Sequence, residues 1–269
     1  MTAEPSPAIE TDGAEHRGQE FTGGPELTIL EHLMELRNRV LVSGVAVLIG
    51  ILVCFFFWQE ILDLMLRPAQ SRLGEEYRLA SFSPTDRIVA LFKIGLYGGM
   101  VVASPVIIYE VMAFVVPGLT PKERRVLFFG MFGAVFFLLA GMVFAYFIIL
   151  PVSLDFLLGL ASEQTENVTG IKQYTDFVVR VVFFVGLSFE LPMVIALAAR
   201  IGLVNARQLI GFWRYAIVLV FVVAAIVTPT PDPLTQTLVA GPLLGLYVVG
   251  IVFAWILYKP REGAVAGGS

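Results

Sequence analysis

The chain has 269 residues, of which 57% are hydrophobic and 15% charged, with a mean hydropathy of +0.83 and a net charge of −4. Soluble domains are apolar at about 45–50%, so an ordinary water-soluble globule is excluded. Apolar runs of the roughly 20 residues needed to cross a bilayer core about 30 Å thick exclude the short alternating strands of a β-barrel. The single cysteine, Cys54, rules out an intrachain disulfide framework and sits in an apolar run, where a small core or lipid-facing residue is expected. No basic, aromatic-interleaved tract is present, so no nucleic acid is expected as a partner.

Residues 1–26 are acidic and rich in Pro and Gly. That composition cannot bury enough surface to fold, and no cleavable signal peptide is read there, so a disordered acidic cytoplasmic tail is expected. The six-span membrane domain is read over 27–258, followed by a short tail at 259–269. Residues 27–39 (LTILEHLMELRNR) have Leu30, Leu33 and Met34 at helical spacing, and Arg37 interrupts that face. Thr28 can cap this amphipathic helix, with Glu31 completing a capping box. The helix is expected to run into span one, about 40–58, closed by interfacial Trp58.

The loop 59–85 contains QEILDLMLRP, whose apolar spacing suits a helix lying on the membrane surface. Span two is placed at about 88–116. Span three, at about 126–150, is expected to stop at Pro151; its Gly130/Ala134 and Gly141/Ala145 pairs permit close packing. A second long loop is read over 151–174. Span four is placed at about 177–199, span five at about 212–227 and span six at about 237–258 with Pro242 inside it. TPTPDP (228–233) is a rigid turn, because each Pro fixes φ and removes a donor. Spans five and six read as short, and the fold expected is an all-α polytopic bundle of six transmembrane helices with a concave side. Six crossings place both termini on one face. Eleven Lys and Arg flank the spans on that face against five on the other, which predicts cytoplasmic termini.

The chemistry of an enzyme is missing. His16 and His32 both precede the first span, there is no HExxH, and no Walker A loop is present. Neither a zinc site nor any other metal or cofactor is expected from two scattered histidines and one cysteine. What stands out is acid on the face that basic residues dominate. Glu31 and Glu35 lie one turn apart, and Glu35 also precedes Arg39 by four residues, so it can pair within the helix or face a cationic ligand. Glu123 can equally close a capping box started by Thr120, with Pro121 at the first helical position. Glu110 and Phe114 sit one turn apart near the end of span two. Lys93 and Arg180 are near enough to span ends to snorkel outward. Glu190 lies in mid-span, where a carboxylate costs about 2.5–3.5 kcal/mol on insertion scales. It is expected to face a protein concavity, where Pro192 frees the Ser188 carbonyl as an acceptor and water or a polar partner satisfies both groups.

HLMELRNR, FKIGL, SPVIIYEVMAFVVPGLTPKERR, GMVFAYFIILP, SFELP and TPTPDPLTQTL follow one another from residue 32 to residue 238. In order, spacing and topology they resemble the TatC family, the large multispanning subunit of the twin-arginine protein translocase. The resemblance implies a receptor and core subunit that binds twin-arginine signal peptides of folded cargo and nucleates a pore driven by the proton-motive force. It implies single-span partners of the TatA and TatB type, self-association in a receptor complex, and a bacterial-type cytoplasmic membrane. It assigns signal-peptide binding to Glu35, Glu123, Phe114 and Arg37, and intramembrane polar docking of partners to Glu190, Asp232 and Gln236. The competing reading is a proton- or ion-coupled secondary transporter using Glu190, which the absence of internal repeats and the shortened spans disfavour.

Overall fold

The computed structural model describes residues 29–74, 77, 79–115, 121–159, 169–228 and 233–258. The two predicted tails, Thr28, Thr120 and most of TPTPDP therefore lie outside the described residues. Ten helices occur among the described residues: α1 (Ile29–Phe56), α2 (Trp58–Leu73), α3 (Asp86–Val115), α4 (Pro121–Phe144), α5 (Leu150–Gly159), α6 (Ile171–Ser188), α7 (Leu191–Arg200), α8 (Ala206–Gly211), α9 (Trp213–Val227) and α10 (Pro233–Leu257). Five stretches are long and apolar enough to cross a membrane, and α9 is a shorter apolar helix. Helices are the answer lipid imposes, since each backbone N–H and C=O must be satisfied inside its own segment.

α1 is one uninterrupted helix of 28 residues. At 1.5 Å per residue it measures roughly 42 Å, more than the hydrocarbon core of roughly 30 Å. The excess is the N-terminal turns that carry Glu31, Glu35 and Arg39. The predicted passage of the amphipathic segment into span one is thus borne out, with Leu30, Leu33 and Met34 exposed on the protein surface.

α1 packs antiparallel on α3 through glycine. A Cβ at Gly50 would stand 2.5 Å from the carbonyl oxygen of Gly99, and one at Gly99 would stand 2.7 Å from the backbone nitrogen of Ile51. Cys54 is buried against Gly98, as its bland reading expects. Of the small pairs predicted on span three, Gly141 packs on the Phe189 ring and Ala145 is buried, whereas Gly130 meets open space.

α6 is the most enclosed helix, with Val178, Val181 and Val185 fully buried against Ile149, Leu150, Leu154, Val227 and Val239. α3 and α4 flank it, and α10 joins α7 and α9 on the far side. Exposed Leu48, Leu52, Phe132, Phe136, Val218, Val222, Val252 and Trp255 form the lipid-facing surface.

Several boundaries differ from the sequence reading. Pro151 does not stop span three. Residues Ala145–Ile149 form a π turn, in which the Leu150 N–H reaches back five residues to the Ala145 carbonyl, and the helix resumes as α5 through Gly159. The widened turn accommodates the proline ring that an α-helical turn would reject. The second loop is correspondingly shorter, and its end pairs with the first: Ala80 N–H donates to Thr169 O at 3.0 Å and Ile171 N–H to Ala80 O at 2.8 Å.

Span four begins earlier, at Ile171, and breaks at Phe189–Glu190, because Pro192 has no N–H for the Ser188 carbonyl. Span six begins at Pro233 and runs 25 residues through Pro242, roughly 37 Å, so it is not short. Only α9 is, at 15 residues or roughly 22 Å.

α2 is more than a surface helix. Met65 and Ala69 are buried in the core, and Arg72 Nη1 bonds Asp155 Oδ2 at 2.5 Å. Pro68 leaves the Leu64 carbonyl without its helical donor, and the Tyr146 hydroxyl supplies one at 2.7 Å.

Candidate functional site: an acidic cleft at one end of α1 and α3

The antiparallel register of α1 and α3 decides what meets at their shared end. Arg39 lies eleven residues before Gly50, and Glu110 eleven after Gly99. The Gly50–Gly99 contact therefore brings Arg39 opposite Glu110. Arg39 Nη1 donates to Glu110 Oε2 at 2.9 Å, while its Nη2 and Nε donate to Glu35 Oε1 at 2.6 and 3.0 Å. One guanidinium thus bridges two carboxylates on two helices through charge-assisted hydrogen bonds. Glu35 pairs with Arg39, as its intrahelical reading expects, and it also lines a cleft.

That cleft has a volume of about 470 Å³ and is lined by Glu31, Met34, Glu35, Asn38, Arg39, Val42 and Glu110. Three carboxylates against one guanidinium leave it a formal net charge of −2. At its edge the His32 imidazole stacks on the Phe114 ring, with centroids 4.2 Å apart and planes 15° from parallel. His32 Nδ1 also stands 3.7 Å from Glu35 Oε2.

The predicted signal-peptide residues are only partly brought together. Glu35 and Phe114 reach the same end through His32. Arg37 is exposed and turns to Asn38 Oδ1 at 3.4 Å, away from Glu35. Glu123 falls in the first turn of α4, with Pro121 the first helical residue as predicted; its side chain lies outside the described residues. Glu110 went unassigned at first, although its place one turn before Phe114 on the same face was the available signal.

The intramembrane set is distributed differently. Glu190 caps the break between α6 and α7, and its Oε1 is buried with no hydrogen-bond partner. The Ser188 hydroxyl bonds the Phe184 carbonyl at 2.7 Å. Gln236 Nε2 donates to the Phe221 carbonyl at 2.9 Å, tying α10 to α9. Asp232 lies outside the described residues.

Lys93 and Arg180 share one acid. Lys93 Nζ bonds Asp176 Oδ1, and Arg180 holds the same carboxylate through Nη2 at 2.9 Å and Nε at 3.0 Å. Asp176 lies one turn before Arg180 on α6, and Lys93 reaches it from α3. No group of three or more His, Cys, Asp or Glu suited to a metal occurs among the described residues.

The family model for the Sec-independent protein translocase protein, TatC, matches residues 31–242. This chain belongs to the TatC family. It is 39% identical to the chloroplastic Sec-independent protein translocase protein TATC of Arabidopsis thaliana over 90% of this chain and 69% of that one. It is 36% identical to the Sec-independent protein translocase protein TatC of Synechocystis sp. over 87% of this chain and 90% of that one. A crystal structure of the twin-arginine translocase receptor TatC superposes with a TM-score of 0.76 at 37% identity, covering 83% of this chain and 98% of that one. The TatC fold of six transmembrane helices is the fold found here, and a TatC-family chain is a protein-transport subunit rather than an enzyme.

Proposed function

We propose that this TatC-family protein is the receptor subunit for twin-arginine signal peptides, and that the acidic end of α1, α3 and α4 is where they bind. The observation that carries this reading is the cleft itself. Glu31, Glu35 and Glu110 surround a space already shaped to hold a guanidinium, the first turn of α4 with Glu123 follows five residues after α3, and the Phe114 ring stands at the edge. Two adjacent arginines are a divalent cationic fork, and paired carboxylates hold such forks bidentately.

The test is precursor binding by purified protein. Glu35→Gln and Glu123→Gln are each expected to weaken a twin-arginine peptide about 10- to 150-fold, the equivalent of one charge-assisted hydrogen bond of about 1.5–3 kcal/mol. Unchanged affinity in the double Gln variant would return both acids to helix capping and intrahelical pairing.

The reading carries an orientation and a setting. We propose that both termini, and the cleft with them, face the cytoplasm of a bacterial-type cell; the excess of Lys and Arg on that face supports the orientation. A cysteine at Ser162, in a Cys54→Ala background, is expected to react with an impermeant thiol reagent from outside intact cells; reaction from the cytoplasmic side alone reverses the topology. Small single-span subunits of the TatA and TatB type are the proposed partners, with Glu190, Asp232 and Gln236 as polar docking points within the membrane. Glu190 is the best supported of these: its carboxylate interacts with the Leu138 backbone on α4, and its buried Oε1 has no hydrogen-bond partner, which suits a polar group from another chain. Transport of folded cargo would draw on the proton-motive force, and copies of this chain would associate in the receptor complex.

A further inference from the structure

We infer that Arg39 is a resident guanidinium, occupying the twin-arginine site until an incoming arginine displaces it, and that Glu110 is a further carboxylate of that site. The inference rests on the receptor reading above and adds to it a mechanism of selection. Arg39 occupies Glu35 Oε1 and Glu110 Oε2, oxygens that a peptide arginine would need, with three N–H···O contacts between 2.6 and 3.0 Å. It does so at the wall of a cleft of about 470 Å³ whose carboxylates outnumber its guanidinium by two.

Exchange explains why arginine would be preferred to lysine. A peptide arginine can rebuild the same fork on the same two carboxylates, so the electrostatic cost of expelling Arg39 is recovered. Released, Arg39 stays on a half-exposed helical turn beside Asn38 and Glu31, where water can take it up. A lysine presents three donors on one nitrogen. It cannot span Glu35 on α1 and Glu110 on α3 as the fork does, and it must still displace an arginine that can. The occupied site thereby penalises the wrong cation, which an empty acidic cleft would not do.

The experiment compares fluorescent signal peptides bearing Arg-Arg or Lys-Lys on full-length protein in nanodiscs of one stated lipid composition. Wild-type protein must first bind Arg-Arg better than Lys-Lys; if it does not, the receptor reading fails before this inference is reached. Given that preference, Arg39→Gln is expected to tighten Arg-Arg binding about tenfold and Lys-Lys binding by more, so that discrimination shrinks. Glu110→Gln, added to Arg39→Gln, is expected to reverse the gain. Arg39→Lys, which keeps the charge and loses the fork, is expected to move both affinities the same way by a smaller factor, and it serves if Arg39→Gln does not fold. Weaker or unchanged Arg-Arg binding in a folded Arg39 variant makes Arg39 a clamp between α1 and α3 and overturns the inference. Equal affinities with and without Glu110→Gln in the Arg39→Gln background remove Glu110 from the site.

Discussion

Gly99→Leu is expected to abolish accumulation of the folded protein in the membrane, and Gly99→Ala to lower its melting temperature while weakening twin-arginine peptide binding. At Gly99 an added Cβ meets the Ile51 Cγ1 at 2.6 Å and the Ile51 backbone nitrogen and Cα at 2.7 and 3.0 Å, and from the other side the Gly99 carbonyl closes on Gly50. Turning the Ile51 side chain aside leaves the backbone contacts in place, so α1 and α3 must part. Between helices in lipid the attraction is chiefly van der Waals packing, which a gap of even 0.5–1 Å cuts by about a quarter to a half. Overpacking a tight interior costs about 1–3 kcal/mol for modest insertions, and an isobutyl group against backbone exceeds that case. The effect on binding follows from register, because the same contact sets the separation of Arg39 and Glu110. Thermal melting of detergent-solubilised protein and peptide titration check both parts. Wild-type accumulation and melting of Gly99→Leu would rule out the close approach.

Glu190→Ala is expected to leave the protein folded and able to bind signal peptides, yet to reduce recruitment of single-span partners about tenfold or more, with transport falling in step. The competing role is structural: Glu190 bonds another span and only fixes the fold. The carboxylate does interact with the Leu138 backbone on α4, but its buried Oε1 has no hydrogen-bond partner, which a purely structural role would not leave. The local construction also counts against that role. The break at Phe189–Glu190 is held by Phe189 packed on Gly141 and by Met193 against Gly133, with Ile195 against Gly250 beyond it, none of which needs the carboxylate. Partner co-purification, peptide binding and transport assays on one preparation separate the roles. A variant that fails to accumulate makes Glu190 structural, and one that recruits partners and transports normally removes the docking role.

Much of the fold was legible because lipid reduces the problem to runs of apolar residues, and those are visible in one dimension. The number of crossings, the continuous α1 and the short α9 follow from that. Prolines were misread where a neighbour compensates for them. Pro151 reads as a stop only if the turn before it is α-helical, and Pro233 begins α10 instead of ending a loop because a first-turn residue needs no N–H. The candidate site was legible as motif residues but not as geometry. Glu35 and Phe114 could be named, yet the bridge from Arg39 to Glu110 spans 71 positions and depends on the α1–α3 register. That register is set by Gly50 and Gly99, whose spacing across two helices no single-helix pattern contains. The Lys93–Asp176–Arg180 cluster was missed for the same reason: Lys93 finds its acid on another helix.

The π turn at Ala145–Ile149 gives the long α4–α5 rod two rotational phases. Inward of it, Phe136, Leu139 and Val143 face lipid, and Phe147 and Ile148 continue that face through the turn. The turn holds one residue more than an α-helical turn would, so everything outward is rotated by about 100° from where a regular helix would carry it. In that second phase Ser153 and Leu154 point into the core and Asp155 meets Arg72. Chain length at this point is therefore an angular setting: a one-residue deletion here would change no side chain's chemistry and yet re-aim every side chain of α5 at once.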